Sequence, residues 1–523
     1  MTQNLTKISQ ALITAYDKDY SSFDQETISV NPVVAELASW YEKFRTAMEY
    51  RDDEVILRSA IERILRRRVL LNGSGENVAA PLIRELIWAR YFPDSTIAET
   101  KIIRVSEAID LFLQLELAIN KKHKLNRTTL GEWIVHLLSS EIEDILKPSP
   151  EKEVMVSFMF SIFQDKIHIA DDSEEAKNVQ IFIGVRRAYA NEDLALLRFA
   201  LFKQYFGKLS KDNLDKIAQV FPEGFHKINE YLKYPQKDKI LNYIKSQTIS
   251  FIILDDILKK NKGRNFTLFS DKDRLNLEII NACTSRYQVV VRKVGRAIVR
   301  SIIFILFTKA LFALFVEGAV DRYLYGKVVW STLALNTLTP PILMAMVGFF
   351  IETPGRENSY KIMHKINSIL MDENPNLNPP LNIKRKTSKT DPLLGGLFVI
   401  LWLLTFVVSL GTVIFFLTRM GVNPLSQAVF IFFLAIVSFL AFRIQRTANM
   451  YILRDKKEGL GSMLFDFFFM PFIYAGRRLT TAFSQINILL FIFDYIIEAP
   501  FKGIVSFFEQ WLLFLRTQRE KLD

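Results

Sequence analysis

Apolar residues recur at helical spacing through the first half of the chain, then merge into long unbroken runs in the second. Between residues 31 and 285 the pattern predicts a succession of helices with short breaks. Asn31-Pro32 opens the first, which carries Val34, Leu37, Ala38, Tyr41, Phe44 and Met48. A second covers 52–71 and ends at Asn72-Gly73-Ser74-Gly75; a third runs 79–91 and closes at Pro93. Further helices are expected at 96–122, 128–146, 154–169, 174–190, 192–207, 213–221, 224–234 and 236–260. Nothing alternates with period two over a useful length, so the fold class is all-α, a compact bundle with an α-solenoid as the alternative. Pro148-Ser149-Pro150 marks an internal boundary and residues 261–265 a second hinge.

From Asp273 the pattern stays helical to about Val320. In 273–300 one face holds Tyr287, Val290, Val291, Val294, Ala297 and Ile298, while Arg292, Lys293, Arg296 and Arg300 lie opposite. That is a basic amphipathic juxtamembrane helix, and the four cations are candidate contacts for anionic lipid. Positive flanks that merely set orientation explain the same residues. Apolar runs of membrane-spanning length follow at 301–320, 328–351, 393–417 and 425–442. The expected domains are therefore 1–272, all-helical; 273–300, the basic helix; 301–442, four spans; and 443–523, a tail of interfacial or re-entrant helices. Within the loop 352–392, Ile362, Met363, Ile366, Ile369 and Leu370 form an apolar stripe, either flat on the membrane or docked on the N-terminal domain. The tail has marginal segments at 463–474, 479–497 and 504–515, and a fifth span at 479–497 is not favoured.

Charge then orients the chain. Lys plus Arg number five in 286–300, two in 321–327, seven in 352–392, one in 418–424 and five in 443–457. This alternation places the N-terminal domain, the 352–392 loop and the tail on the cytoplasmic side of an inner-membrane-type bilayer. Lys384, Arg385 and Lys386 in that loop join the candidate lipid contacts. The net charge of +11 is modest for 523 residues, so nucleic acid is not an expected partner; a protein partner or a second copy is. The N-terminus lacks a basic region followed by an apolar one, so the first span is expected to act as its own insertion signal. One cysteine, Cys283, leaves no internal disulfide and no cysteine metal cluster within a chain.

Catalytic patterns are missing: the sequence has no P-loop, HExxH, GxSxG or CxxC. Asp165, His168, Asp171 and Asp172 could gather a metal, but solvated acids at a helix end explain them, so no metal or cofactor is expected. Arg66-Arg67-Arg68 reads as a solvated helix face. Polar residues inside the spans carry more information. Lys309 falls about 13 Å beyond Arg300, where a central lysine costs about 3 kcal/mol. It should face protein or water. Glu317 lies about 80° away around a regular helix, so a direct pair is not expected. Thr332, Asn336 and Thr339 form one stripe of the second span; Thr405, Ser409 and Thr412 repeat it in the third. Pro340-Pro341 is expected to break the ladder of the second span. These residues make a candidate intramembrane polar site. The expected function is a non-enzymatic multi-pass membrane protein whose helical domain docks a partner. The alternative is a subunit of an oligomeric channel or transporter with a pocket around Lys309.

Overall fold

The computed structural model describes residues 5–18, 27–30, 55–69, 73–326, 330–375, 379–385, 392–453 and 460–484, with isolated positions elsewhere. Most of the helix expected at 31–48, Lys386, and the tail beyond 484 lie outside these residues, as does the side chain of Thr332.

The described chain is predominantly helical. Helices α1 (Lys7–Asp17), α2 (Ile56–Val69), α3 (Gly75–Trp88), α4 (Thr100–Lys122), α5 (Arg127–Leu146) and α6 (Pro150–Gln164) come first. Side-chain caps start several of them. Thr6 accepts from the Ser9 amide at α1, and Asn126 accepts from Thr128 and Thr129 at α5. Gly75 opens α3 because a Cβ there would sit 2.1 Å from the Ser106 carbonyl on α4. After a short strand β1 (Ile167–Ile169) come α7 (Glu174–Tyr189), α8 (Leu194–Phe206), α9 (Leu214–Leu232), α10 (Lys237–Lys260) and α11 (Asn265–Ser270).

Two cores result. The first joins α2–α5 to α8 and α9 around Trp133, which is fully buried against Phe221 and Phe225. The second joins α1, α6 and α10. α7 presents Val179 and Ile183 to the first core and Ile181 and Val185 to the second. The expected boundary at 148–150 is thus where α5 hands over to α6, but α8 and α9 return to the first core. The turn at 261–265 is pinned rather than hinged. Asp17 accepts from the Gly263 amide at 2.8 Å and from Asn265 Nδ2 at 2.6 Å, and Asn265 is fully buried. Arg66–Arg68 are likewise engaged: Arg66 pairs with Glu62, and Arg67 and Arg68 with the buried Glu85.

Helix α12 (Lys272–Phe312) is 41 residues long, about 60 Å. Asp271 caps it, accepting from the amides of Asp273 and Arg274. Its residues Leu275, Ile279, Cys283 and Tyr287, at intervals of one helical turn, complete the second core. The same face then continues as Val290, Val294 and Ile305 into a third core. A π-helical turn (Ala313–Glu317) and α13 (Gly318–Tyr325) extend it. Helices α14 (Trp330–Phe350), α16 (Pro392–Arg419), α17 (Pro424–Asn449) and α18 (Leu460–Ser484) follow, with α15 (Arg356–Met371) and strand β2 (Leu381–Ile383) inserted between α14 and α16. Among the described residues, four helices are long and apolar enough to cross a membrane: Lys272–Tyr323, Leu333–Phe350, Leu394–Arg419 and Pro424–Asn449. α14 continues through Pro340 and Pro341 instead of breaking there.

Within the 352–392 segment, α15 packs into the second core. Ile362, Ile366, Ile369 and Leu370 on α15 are buried there, on the order of 2 kcal/mol of apolar burial each. β2 pairs in parallel with β1, Ile167 opposite Leu381 and Ile169 opposite Ile383. A strand pair of three residues is too short to show as alternation, so the all-helical expectation missed it. α18 is a single helix through Pro471, packed on α16 and α17, where separate marginal segments were expected. Gly476 permits this: a Cβ would lie 2.1 Å from the Ala435 carbonyl.

Candidate functional site

Lys309, on the last turn of α12, is fully buried, as is Glu317. The lysine ammonium donates to Glu317 Oε1. This corrects the expectation that the two face apart. The π-helical turn Ala313–Glu317 widens the backbone by one residue, so a spacing of eight behaves as about two full turns. Helical-wheel arithmetic assumes a regular helix and misses that shift.

Asn336 on α14 donates from Nδ2 to Glu317 Oε2 at 2.6 Å, with the Ser426 carbonyl 3.5 Å away. The Lys309 ammonium lies 5.4 Å from the centre of the Phe433 ring on α17, a favourable cation–π placement. A polar step continues along α17, whose N-cap Asn423 accepts from the Ser426 amide at 2.8 Å and donates to Asp321 on α13 at 2.6 Å. Four helical elements thus meet through one chain of polar contacts, buried at Lys309, Glu317 and Asn336 and part-buried at Asn423 and Asp321. Asn336 Oδ1 is buried in this cluster without a hydrogen-bond partner.

Of the predicted polar residues, Lys309, Glu317 and Asn336 come together. Thr339 and Thr412 bond carbonyls of their own helices, Leu335 and Val408. Thr405 is buried and donates to Trp402 O; Ser409 is buried with its hydroxyl unpartnered. Neither reaches the Lys309 cluster. Sequence reasoning missed Phe433, Ser426 and the Asp321–Asn423 bond; only the Asn423-Pro424 helix start signals the last.

Comparison with family models, curated proteins and solved structures finds no match. The site is therefore read from its own geometry. A buried ion pair answered by an amide and an aromatic face can lock helices at a fixed rotation. With Glu317 bound to it and no exposed surface, Lys309 offers no open cation to a passing solute.

The candidate lipid contacts divide. Arg292, Lys293, Arg296, Arg300 and Lys384 are exposed. Arg385 is turned onto the N-terminal domain instead, pairing with Glu230 at 2.7 Å and Asp172 at 3.4 Å. Asp171 accepts from the Arg385 amide, and Asp172 also accepts from Tyr234 at 2.8 Å. These carboxylates serve to hold the strand pair. Among the described residues, no group of three or more His, Cys, Asp or Glu is placed to hold a metal.

Proposed function

We propose that this chain is a non-enzymatic, multi-pass integral membrane protein that holds its N-terminal helical domain rigidly against the inner leaflet as a docking platform. The observation that carries the reading is the way the domain is mounted. α12 runs unbroken from the second core into the third. Asn358 on α15 ties the joint: Nδ2 donates to Tyr287 Oη on α12 at 2.7 Å and to Tyr451 O beyond α17 at 2.8 Å, while Oδ1 accepts from the Leu453 amide at 2.8 Å. Strand β2 adds a further attachment. A flexible anchor needs one connection, whereas these three attachments fix orientation and distance from the bilayer. The alternating charge count supports a cytoplasmic domain. The lysine that motivated transport is neutralised by its own helix, which supports packing over passage.

The test is crosslinking in intact cells with a membrane-permeant amine reagent, followed by purification of the full chain. A discrete crosslinked species is expected, either with one partner or with a second copy. A chain that stays monomeric and partner-free, and instead conducts ions or solutes in vesicles in a Lys309-dependent manner, overturns the proposal.

A further inference from the structure

Inside the N-terminal domain, charges from three helices meet at one histidine. His136 lies on α5, with its side chain 12% exposed. Arg198 on α8 donates from Nη1 to His136 Nδ1 at 2.8 Å. A ring nitrogen accepts only when it carries no proton, so this imidazole is neutral, with its hydrogen on Nε2. That Nε2 faces Glu62 Oε1 on α2 at 3.7 Å and Glu132 Oε1 on its own helix at 4.0 Å.

The surroundings leave each partner little freedom. The Arg198 guanidinium carbon lies 5.0 Å from the centre of the Trp133 ring, its Nε is buried with no hydrogen-bond partner, and its Nη1 also donates to Glu132 at 3.1 Å. Against the upward push of burial, Arg58 and Arg66 hold the Glu62 carboxyl down to about 2, so it stays ionised in mild acid. The buried Arg58 also pairs with Asp193, the cap of α8, at 2.7 Å. From α4, which packs on α5 as well, Glu116 lies beside Gly131 and Lys101 donates to the Leu146 carbonyl at 2.8 Å, both at other turns of α5. His136 thus faces two carboxylates and two guanidinium groups. Burial pushes its pKa below the ordinary value, and Arg198 and Arg58 add to that fall against the pull of Glu62 and Glu132.

We propose that the His136–Arg198 bond is an acid-released latch between α5 and α8. A proton taken up on Nδ1 replaces an acceptor by a donor that faces the Arg198 N–H, so two donors and two positive charges meet where one bond stood. The imidazolium is left to Glu62 and Glu132, Arg198 is expelled from beside Trp133, and α8 loosens from the first core. Once α8 lifts, His136 meets water and returns to about 6.5. The open form then binds the proton more tightly than the closed form, so opening grows as pH falls below that value. The latch lies wholly within the N-terminal domain, so its failure leaves the docking role standing.

Hydrogen exchange of the full chain in a non-ionic detergent is followed by mass spectrometry at pH 7.5 and pH 5.5, over peptides from α8, with the intrinsic pH dependence of exchange removed. One unit below 6.5 the open form gains about tenfold, so opening of α8 in the parent should rise about three- to tenfold on acidification. His136→Asn keeps an acceptor near the place of Nδ1 and takes up no proton; its α8 should show no acid acceleration. Glu141 and Glu143 on α5, both pushed upward by burial, are present in parent and variant alike, so the difference between the two belongs to His136. Arg198→Met removes the donor and should gain less than threefold on acidification; it carries the test if His136→Asn fails to fold. Parent α8 without acid acceleration, or acceleration equal to the parent's in either variant, overturns the latch.

Discussion

Consider removing each half of the Lys309–Glu317 pair separately and then together. Both side chains are fully buried, and Asn336 donates to the second carboxylate oxygen at 2.6 Å. Lys309→Met leaves a carboxylate with only that amide; Glu317→Met leaves an ammonium with only the face of Phe433. Each single change strands a charge in an apolar bundle and should cost about 3–5 kcal/mol. Replacing both by methionine removes both desolvation penalties with little change in volume. The double variant should lie between neutral and about 4 kcal/mol more stable than the parent. A membrane-unfolded reference state finds alternative partners and compresses these values, so a coupling of about 2 kcal/mol or more is the working threshold. The assay is reversible unfolding in mixed micelles of dodecyl maltoside and dodecyl sulfate, followed by tryptophan fluorescence. Single-variant losses that add within about 0.5 kcal/mol in the double variant refute the argument, because independent sites behave that way.

Three other outcomes follow from the structure. Burial pushes Glu143 up from 4.5 to about 7, against the pull of Lys152 and Arg58; the folded chain then holds a proton that the unfolded chain has lost. Stability falls as pH rises from about 4.5 to about 7, by at most about 3 kcal/mol, and Glu143→Gln should abolish that fall in unfolding titrations at pH 5 and pH 8. Cys283 is fully buried, with its thiol pushed up to about 11 by burial, and should resist maleimide until the protein unfolds. With that background silent, an impermeant maleimide on intact cells should label Met420→Cys, and label Lys384→Cys only after permeabilisation; the reverse pattern would invert the proposed orientation. Gly476→Ala puts a methyl 2.1 Å from the Ala435 carbonyl, so α18 should become protease-sensitive while Gly411→Ala, with open space around its Cβ, should not.

The four apolar helices were legible because twenty consecutive apolar residues have few other uses. Their polar residues were legible by type but not by partner. Lys309 and Glu317 read as strangers because nothing in ALFVE announces a π-helical turn, and one added residue changes which side chains meet. The stripe of α15 was legible, but its burial partner was not: Ile362 and Ile366 would suit a lipid surface as well as the second core that receives them. The strand pair at 167–169 and 381–383 was invisible, since its two halves are distant in sequence and three residues carry no period. Arg67 and Arg68 looked solvated because their acid, Glu85, sits on the next helix. For Lys309 and Glu317 the error was a local departure from regular helix; in the other cases it lay in a contact between distant segments.

These contacts, taken together, explain why α12 carries two sets of polar anchors, one part-way along and one near its C-terminal end. At the first, Arg286 grips Asp256 and Tyr287 accepts from Asn358. At the other, Lys309 and Glu317 meet Asn336. Apolar packing between helices tolerates sliding and rotation, because one leucine resembles the next. A buried donor does not, since rotation by a single residue leaves it unanswered at a cost of several kcal/mol. Two such anchors on one helix fix both its rotation and its height. The domain fused to the first half of α12 then inherits the position of the bundle fused to the second.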